Sequence, residues 1–266
     1  MGFRKLNALF FCILLWSCGS ESQPVKDRLA QLDSLVMEME QEGSKMSQGL
    51  DTLAHFYEEN LKRKDSLLAS ADRNRYQLDG PFSTNIQSPD TAYSSIIILN
   101  TTPNRAKAEE EVVLTNFLDP AFRDFFKSNP LISQVYSNSP LQVSRVFPAY
   151  DAFNLVDPNI DVTQFNFYYE ADRIHNPRRG LIWIPDAYVD PAGKGWILSL
   201  VHPIYDGDSL FAVLGVDFTV DDIIQGYLEK YPGQLLLVNR KGDIVAGKSG
   251  AIEAISMPPL KNHVYR

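Results

Sequence analysis

Apolar residues repeat at gaps of four and three along residues 24–78, and this repeat constrains the fold more than any other feature. The repeat consists of Val25, Leu29, Leu32, Val36, Met39, Met46, Leu50, Leu53 and Tyr57. A spacing near 3.5 residues places such side chains on one side of a helix, which must then be covered by another helix or by the flank of a domain. We therefore predict a long helical segment over residues 24–78.

Two glycines interrupt this repeat and leave its continuity open. Gly43 occupies one position of the apolar row, and Gly49 follows shortly after it. Because glycine costs a helix about 1 kcal/mol relative to alanine, a kink is expected here. A continuous helix of about 55 residues, at about 1.5 Å each, would form a rod of roughly 80 Å along which a homodimer can pack. The alternative is a helical hairpin that turns between Gly43 and Gly49.

The N-terminus has the composition of an export signal. Arg4 and Lys5 precede the apolar run LNALFFCILLW, which is too short to span a bilayer. The following LWSCGS resembles the lipobox of bacterial lipoproteins, in which the cysteine, here Cys18, is lipidated and becomes the first mature residue. We predict a signal peptide over residues 1–17, lipidated Cys18 with a tether over residues 18–23, and a lipid-anchored location in the bacterial cell envelope, facing the periplasm or the exterior. An ordinary signal peptide whose cleavage site includes Cys18 is the alternative.

Cysteine, histidine and charge content exclude several kinds of site. Both cysteines, Cys12 and Cys18, belong to the N-terminal signal, so the body offers no disulfide, zinc-thiolate site or thiol nucleophile. The 4 histidines are scattered without an i, i+4 pair, so we predict no metal site and no cofactor. A formal charge of −8 without a basic run argues against nucleic acid as a partner.

Beyond the helical segment the pattern changes to short strands. Residues 79–91 have the Gly, Pro, Ser and Asn content of a connector. Residues 92–250 hold β-branched and alternating runs such as YSSIIILN, LQVSRVFP and GWILSLVHPIY, separated by turns and a few short helices. A helix followed by an antiparallel meander indicates an α+β fold, not a doubly wound parallel sheet. Residues 251–266 are assigned to a C-terminal tail.

The stretch GDIVAGKS, Gly242–Ser249, fits the phosphate-loop pattern G-x-x-x-x-G-K-[ST]. Such a loop works only when a buried strand precedes it and a helix follows it, so that free N–H groups converge on the phosphates. Here RKG has the character of a hairpin turn, so Gly242 opens a strand, and Pro258 leaves room for barely two turns of helix beyond Ser249. We interpret the match as coincidental.

Residues 176–223, NPRRGLIWIPDAYVDPAGKGWILSLVHPIYDGDSLFAVLGVDFTVDDI, carry an ordered set of motifs. An Asn-Pro pair precedes a Trp, a Tyr-x-Asp pair, a Gly-Trp turn, a strand ending in Pro-x-Tyr, and a Gly-Val-x-Asp strand that leads into a helix. This set resembles the Cache sensor domains of bacterial chemoreceptors and sensor kinases, in particular the double Cache form, and the resemblance extends over roughly residues 24–247. It implies an extracytoplasmic ligand sensor with a PAS-like central antiparallel sheet flanked by helices.

The resemblance also implies a ligand site. In family members that bind amino acids, aromatic side chains and the Tyr-x-Asp pair line the pocket, an Arg takes the carboxylate, and the Asp of the Gly-Val-x-Asp strand takes the ammonium. The implied residues here are Trp183, Tyr188, Asp190, Asp217, and Arg178 or Arg179. The residue types suit that chemistry, because a guanidinium fork matches a carboxylate and an aspartate accepts from an ammonium. The family places its Arg two residues before the Trp, where this chain has Leu181, so the expected ligand is an amino acid, an amine or an organic acid.

Structural roles are the alternative for each of these residues. They are a place in the core for Trp183 and Tyr188, a helix cap for Asp217, a turn for Asp190, and solvation for Arg178 and Arg179. His202 could also reach the pocket from its strand.

The sequence therefore predicts a lipid-anchored sensor that binds a small molecule and passes that state to an unidentified signalling partner, with no catalysis of its own. The output would be a shift of the N-terminal helix, or of a dimer built along it, because a ligand acts only through unequal affinity for two states. No nucleophile elbow and no Ser, His and Asp order stands out, which disfavours an envelope hydrolase. The alternative function is a non-catalytic interaction or scaffold protein of the envelope that uses the long helix as its working surface.

Overall fold

The computed structural model describes residues 11–12 and 23–249, with side chains over residues 25–249. The helices are α1 (Gln23–Leu61), α2 (Lys64–Ser70), α3 (Arg105–Leu114), α4 (Leu118–Lys127), α5 (Ala152–Leu155), α6 (Asn166–Tyr169) and α7 (Val220–Gly226). The strands are β1 (Phe11–Cys12), β2 (Leu78–Asp79), β3 (Phe82–Ser83), β4 (Ser95–Ile98), β5 (Gln134–Asn138), β6 (Val143–Phe147), β7 (Ile182–Trp183), β8 (Tyr188–Val189), β9 (Trp196–Asp206), β10 (Ser209–Thr219), β11 (Leu236–Val238) and β12 (Ile244–Gly247). The described residues form two compact units, one of residues 11–12, 23–46 and 220–249 and one of residues 47–219.

Helix α1 is continuous over 39 residues and includes both glycines of the interrupted repeat. The helical hairpin is therefore wrong. The helix predicted to reach residue 78 is also too long, because α1 ends at Leu61 and only the short α2 follows it. Gly49 has a packing role: a Cβ at this position would lie 2.6 Å from a ring carbon of Phe125. Glycine allows that ring to approach the helix backbone.

The C-terminal half of α1 buries the apolar row that the sequence shows. Leu50, Leu53, Tyr57 and Leu61 are all buried, at helical gaps of three and four. The Tyr57 ring packs edge-on against Phe117 with ring centroids 5.6 Å apart. Packing of this face, more than intrinsic propensity, holds such a helix in place.

A 9-stranded antiparallel sheet dominates the larger unit, residues 47–219. The strand order is β2-β3-β4-β6-β5-β10-β9-β7, and β8 also pairs with β9. Strands β9 and β10 form the longest hairpin, which turns at Gly207 with a φ of 62°. The two short strands β2 and β3 lie in or beside the predicted connector 79–91, so part of that connector belongs to the sheet.

Side chains alternate between the two faces of this sheet, and each face has its own partner. On one face, Tyr57 of α1 contacts Ser137, with their hydroxyl oxygens 3.3 Å apart. On the other, Tyr136 and Val213 pack in an apolar cluster with Phe167. Because successive residues of a strand point to opposite faces, neighbours such as Tyr136 and Ser137 belong to different environments.

Helices α3 and α4 flank the sheet beside β6, and a buried ion pair ties them to it. Arg145 of β6 is 1% exposed. Its Nη1 lies 2.7 Å from Asp119 Oδ1 on α4, and its Nη2 donates to the Val112 carbonyl of α3. Arg75 donates to the second oxygen of Asp119 at 3.0 Å. The cluster thus joins three elements through one guanidinium.

The smaller unit contains the first part of α1, α7 and a 3-stranded sheet of order β1-β11-β12. Gly242 has a φ of 88° in the turn between β11 and β12, and its N–H donates to the Asn239 carbonyl. Ile244–Gly247 then forms strand β12. Residues 242–247 are therefore a turn and a strand, which agrees with the interpretation of the phosphate-loop match as coincidental. Ser249, the last described residue, is helical.

The predicted α+β fold class is confirmed: a long N-terminal helix precedes an antiparallel sheet flanked by helices. Among the described helices, none is both long enough and apolar enough to cross a bilayer. Cys18, residues 19–22 of the predicted tether and the tail over residues 251–266 lie outside the described residues, whereas Gln23, the last residue of the predicted tether, begins α1. Of the predicted signal peptide, residues 11–12 are described, as β1.

Candidate functional site

One face of the large sheet borders a cavity of about 50 Å³, which we call the acidic pocket. Strands β4, β5, β6 and β10 contribute its floor, and chain between residues 150 and 192 contributes its walls. It is lined by Ile97, Leu99, Gln134, Tyr136, Asn138, Ser144, Val146, Tyr150, Val156, Ile160, Val162, Phe167, Tyr188, Asp190, Pro191, Ala192 and Asp217. At about 10–15 Å³ for each water-sized group, it has room for roughly three to five such groups.

Asp217 lies at the centre of the acidic pocket because β10 runs between β5 and β9. Its register partners are Gln134 on β5 and Ser199 on β9, and opposed residues share one face of a sheet. Gln134 Nε2 donates to the Asp217 carboxylate at 2.6 Å, and the Ser199 hydroxyl donates to it at 2.5 Å. These bonds run across the sheet, so they do not support the helix-cap interpretation of Asp217.

Asp190 enters the acidic pocket from the loop between β8 and β9. Its carboxylate accepts hydrogen bonds from the backbone N–H groups of Ala192 at 3.0 Å and Lys194 at 3.1 Å. The loop turns through Gly193 and Gly195, whose φ angles of 84° and 85° suit glycine. Asp190 therefore stabilises this turn, which is the structural alternative considered for it from the sequence, and it also lines the acidic pocket.

Gln134 connects the two carboxylates. Its single amide nitrogen lies 2.6 Å from Asp217 Oδ2 and 3.4 Å from Asp190 Oδ2. Asp190 is 5% exposed and Asp217 is 1% exposed. Two acids of like charge are thus held near one donor in a region from which water is largely excluded.

Aromatic rings close the sides of the acidic pocket. Tyr188 stacks on Phe167 with ring centroids 5.8 Å apart, and its hydroxyl lies 2.6 Å from Ser199 Oγ. The Tyr136 ring packs edge-on against Phe167 at 5.8 Å and lies over Gly215, where a Cβ would overlap the ring. The glycine of the Gly-Val-x-Asp motif therefore makes room for the Tyr136 ring.

Burial raises the pKa of both acids. Burial, followed by the charge of Asp190, raises the pKa of Asp217 from 3.8 to about 8, although hydrogen bonds from Ser199 and Gln134 act in the opposite direction. Burial also raises the pKa of Asp190, against the hydrogen bonds that it accepts from Ala192, Lys194 and Gln134. A strongly raised pKa in a cavity is characteristic of functional sites, because an acid without a solvating partner is otherwise costly to retain.

Two buried polar atoms of the acidic pocket lack a hydrogen-bond partner among the described residues: Gln134 Oε1 and the Tyr136 hydroxyl. The Tyr136 hydroxyl lies near Asp217, Tyr188 and Ser199, but no hydrogen bond of good geometry joins it to them. Since buried polar atoms are normally paired, Gln134 Oε1 is available to a bound molecule, whereas the Tyr136 hydroxyl already faces Asp217, Tyr188 and Ser199.

The charge of the lining is one-sided. It includes two aspartates, whereas no lysine, arginine or histidine is among the described residues that line the acidic pocket. Such a lining favours a cation over an anion, because a buried charge is stabilised only by an opposite charge and by hydrogen bonds.

The structure brings Tyr188, Asp190 and Asp217 together but places Trp183 on the opposite face of the sheet. Trp183 pairs in register with Leu200, not with Ser199. Its ring stacks on Phe218 at 5.6 Å, and its indole nitrogen donates to Ser47 of α1. Alternation along the strand accounts for this placement. His202 lies on the same face as Trp183, with Nε2 3.4 Å from Asp51 of α1.

Neither arginine of the predicted carboxylate clamp lines the acidic pocket. Arg178 is exposed. Arg179 has a φ of 54° and lies at the turn between β9 and β10, where its guanidinium lies 2.9 Å from Asp208 and stacks over the Tyr205 ring at 4.2 Å. It lines a separate cavity of about 290 Å³ at that end of the sheet. Sequence proximity to Trp183 did not bring these arginines to the acids.

Several residues of the site were missed. They are Gln134, Tyr136, Ser199, Phe167 and Tyr150. The signal that could have found Gln134 is its polarity within the apolar strand run LISQVYS, where a buried amide needs a partner. Ser199 in ILSLVHP carries the same signal.

Comparison with known proteins gives weak likenesses. No family model matches the chain. The chain is similar to the sensory domain of the Campylobacter jejuni chemoreceptor Tlp3 with isoleucine bound, at 17% identity and a TM-score of 0.42, over 87% of this chain and 80% of that one. It is also similar to the ligand-binding domain of the Pseudomonas aeruginosa PAO1 amino acid chemoreceptor PctC in complex with GABA, at 21% identity and a TM-score of 0.39, over 57% of this chain and 63% of that one. Identity and TM-score are both low, so the acidic pocket has to be interpreted from its own residues.

Proposed function

We propose that this chain is a non-catalytic extracytoplasmic receptor that binds a small primary amine in the acidic pocket. One observation carries this proposal: two buried carboxylates, Asp190 and Asp217, face the same cavity, and no basic side chain is among its described lining residues. Organic acids fit this environment poorly, because the ligand carboxylate would lie beside the carboxylates of Asp190 and Asp217 and be repelled by them.

A primary ammonium matches the acceptors of the acidic pocket. It carries three N–H donors, and the cavity offers the Asp217 carboxylate, the Asp190 carboxylate and the unpartnered Gln134 Oε1. A charge-assisted hydrogen bond to a carboxylate is about twice as strong as a neutral one. The aromatic rings of Tyr136 and Tyr188 add a favourable face for a cation. A quaternary ammonium has no donor for these acceptors and should bind more weakly.

Size selects among the amines. A cavity of about 50 Å³ admits about three to five non-hydrogen atoms, as in ethylamine or ethanolamine. Leu155 packs against Gly193 where the two wall segments meet, at 3.5 Å from the position of a Cβ on that glycine. A larger ligand would require these segments to separate.

An amino acid fits less well than an amine. The clamp expected for its carboxylate was Arg178 or Arg179, and neither lines the acidic pocket. Without a cation in the lining, a ligand carboxylate would lie close to Asp190 and Asp217 at an unfavourable electrostatic energy. Of the three ligand classes that the sequence leaves open, the amine is the one favoured by charge.

The proposal also includes a location in the cell envelope and a route for signalling. The leader over residues 1–17 and Cys18 support export and lipid anchoring in the cell envelope, with the sensor unit facing the periplasm or the exterior. Signalling would pass to an unidentified partner through α1 or through a homodimer built along it. Replacing Cys18→Ser should release the protein from membranes, and unchanged membrane fractionation would contradict anchoring at this residue.

A thermal-shift experiment tests the ligand class. Ethylamine, tetramethylammonium, acetate and glycine are compared at equal ionic strength on the wild type, Asp217→Asn and Asp208→Asn. Asp208 is the matched control, because its carboxylate is exposed and pairs with Arg179 outside the acidic pocket. We expect ethylamine to raise the Tm of the wild type and of Asp208→Asn by several degrees at saturation, and to leave Asp217→Asn unchanged.

Three results would contradict the proposal: stabilisation by acetate in preference to ethylamine, an equal response of Asp217→Asn, or tetramethylammonium binding as well as ethylamine. A Tm that no solute changes would instead support the interaction or scaffold function.

A further inference from the structure

The two carboxylates of the acidic pocket share one neutral donor. Gln134 Nε2 lies 2.6 Å from Asp217 Oδ2 and 3.4 Å from Asp190 Oδ2. Asp190 also accepts two backbone N–H groups, which makes three donors, whereas Asp217 accepts from two, Gln134 and the Ser199 hydroxyl. Asp190 is therefore the better site for a negative charge, and Asp217 is the better site for a proton.

The groups that face this pair offer little compensating positive charge. From β5 and β8 come the phenols of Tyr136 and Tyr188, from β9 comes Ser199, and Tyr150 lies near Asp190. Lys194 lowers the pKa of Asp190 through its charge, an effect smaller than that of burial and of the hydrogen bonds that Asp190 accepts. Both acids are buried, so full ionisation of the empty site would place two negative charges in one cavity.

We propose that the unliganded pair holds one proton on Asp217, and that the ligand ammonium displaces this proton into solvent, so that binding strengthens as the pH rises. The step is balanced: the Asp217 O–H bond breaks, the proton passes to water or buffer, and the ammonium takes its place beside the carboxylate with its own protons retained. This inference rests on the proposed function, because it concerns the same site and the same class of ligand.

The electrostatics of the site agree with this geometry. Burial and the charge of Asp190 raise the pKa of Asp217 to about 8. An empty site at pH 7 is then mostly protonated at Asp217, whereas a bound cation favours the ionised form. By linkage, the Kd for a cation falls about tenfold for each unit of pH below about 8 and levels off above it.

Calorimetry with ethylamine as the probe measures this exchange. Titrations at pH 7 in phosphate and in MOPS, which differ in ionisation enthalpy and contain no primary amine, give the number of protons released for each ethylamine bound. We expect close to one proton at pH 7 and close to none at pH 9. The Kd should fall by more than tenfold between pH 6 and pH 8. The matched control Asp208→Asn should behave as the wild type does, because Asp208 is exposed and outside the acidic pocket.

The variant Asp190→Asn distinguishes displacement of a proton from Asp217 from electrostatic attraction between the ammonium and two ionised carboxylates. Removing the neighbouring charge lowers the pKa of Asp217, so fewer protons should be released at pH 7 and the pH dependence should move to lower pH. Binding accompanied by no proton release in both buffers and by a flat Kd would overturn the inference while leaving the proposed function intact.

A measurement on the ligand-free protein tests the inference if ethylamine does not bind. If ethylamine gives no heat at any pH, the proposed function fails for this probe, and the proton on Asp217 is then followed by carboxyl 13C NMR of the ligand-free protein. A buried aspartate that titrates near neutral pH in the wild type, and at lower pH in Asp190→Asn, supports the proton-holding pair. If both carboxyls are ionised at pH 6, the inference is overturned whether or not an amine binds.

Discussion

The backbone of Gly215 lies directly beneath the ring of Tyr136, so that a Cβ at position 215 would overlap the ring atoms. Both residues occur in opposed positions of adjacent strands, β10 and β5. Tyr136 is 3% exposed, and its ring packs edge-on against Phe167. The Tyr136 ring can therefore occupy its place in the wall of the acidic pocket only because residue 215 is a glycine and has no Cβ.

Replacing Gly215→Ala should destabilise the fold and distort the acidic pocket. The added methyl forces the Tyr136 ring or strand β10 to move, and overpacking of a buried site costs about 1–3 kcal/mol. Urea unfolding measures this loss, and the response of the Tm to ethylamine should weaken in parallel. The control is Gly180→Ala, because no atom lies within 4 Å of a Cβ at that position. Equal stability of Gly215→Ala and the wild type would show that the ring is not confined.

Replacing Arg145→Met should be among the most destabilising single changes. It leaves Asp119 buried with only the partly exposed Arg75 as an ionic partner, and it removes the donors to the Val112 carbonyl and the Thr115 hydroxyl. Removing one member of a buried ion pair costs about 3–5 kcal/mol. The double variant Asp119→Asn with Arg145→Met should lose less than the sum of the two single losses. Strict additivity in urea unfolding would contradict the assigned coupling.

Stability should fall as the pH rises from about 4.5 to about 8. Burial raises the pKa of Glu111 from 4.5 to about 8, against a hydrogen bond from Ser139 and the charge of Arg145. An acid whose pKa is raised by folding stabilises the native state fully below its unfolded value, and this contribution is lost as the pH approaches its folded value. Asp217 acts in the same direction.

The variant Glu111→Gln should flatten part of that pH dependence. Measurements of Tm at pH 5, 6, 7 and 8 should show a smaller decline than in the wild type. Glu109→Gln is the control, because Glu109 is exposed and pairs with Arg105. A decline of the same size in Glu111→Gln and the wild type would mean that Glu111 is ionised in the folded protein at neutral pH.

Substitutions at Trp183 and Tyr188, which lie on opposite faces of the sheet, should have different effects on stability and on the Kd for ethylamine. Trp183→Phe should lower stability, because it loses the bond to Ser47 and part of the stacking on Phe218, but it should leave the Kd for ethylamine unchanged. Tyr188→Phe removes the hydroxyl beside Ser199, which itself donates to Asp217. A net loss of about 1 kcal/mol, or roughly fivefold in Kd, is expected. Calorimetry decides, and a larger effect of Trp183→Phe would contradict the placement of that ring.

The fold could be predicted from the sequence to a large extent because its signals are local. Repeated gaps of three and four indicate helix α1, and β-branched runs bounded by turn residues indicate strands such as β9 and β10. The end of α1 could not be located in this way. The residues around Leu61 remain compatible with a helix, and only their packing in the folded chain decides where it stops.

The candidate site was only partly predictable because it depends on register. Asp217 is recognisable as a carboxylate in an apolar strand. Its partners Gln134 and Ser199 lie 83 and 18 residues away and meet it only through the pairing of β5, β10 and β9. The position of Trp183 on the opposite face follows from the same pairing. A resemblance in motif order cannot specify that face, because a shift of one residue reverses it.

Successive side chains of β10 point to opposite faces of the sheet, so this one strand contributes both to the acidic pocket and to the packing on the other face. Odd-numbered positions such as Gly215 and Asp217 set the chemistry of the acidic pocket, while even-numbered Phe218 holds the indole of Trp183 on the far side. A substitution at Asp217 can change which ligand is recognised and leave the packing of Phe218 against Trp183 on the other face unchanged. Ligand specificity can therefore change in evolution at position 217, whereas position 215 has to remain a glycine.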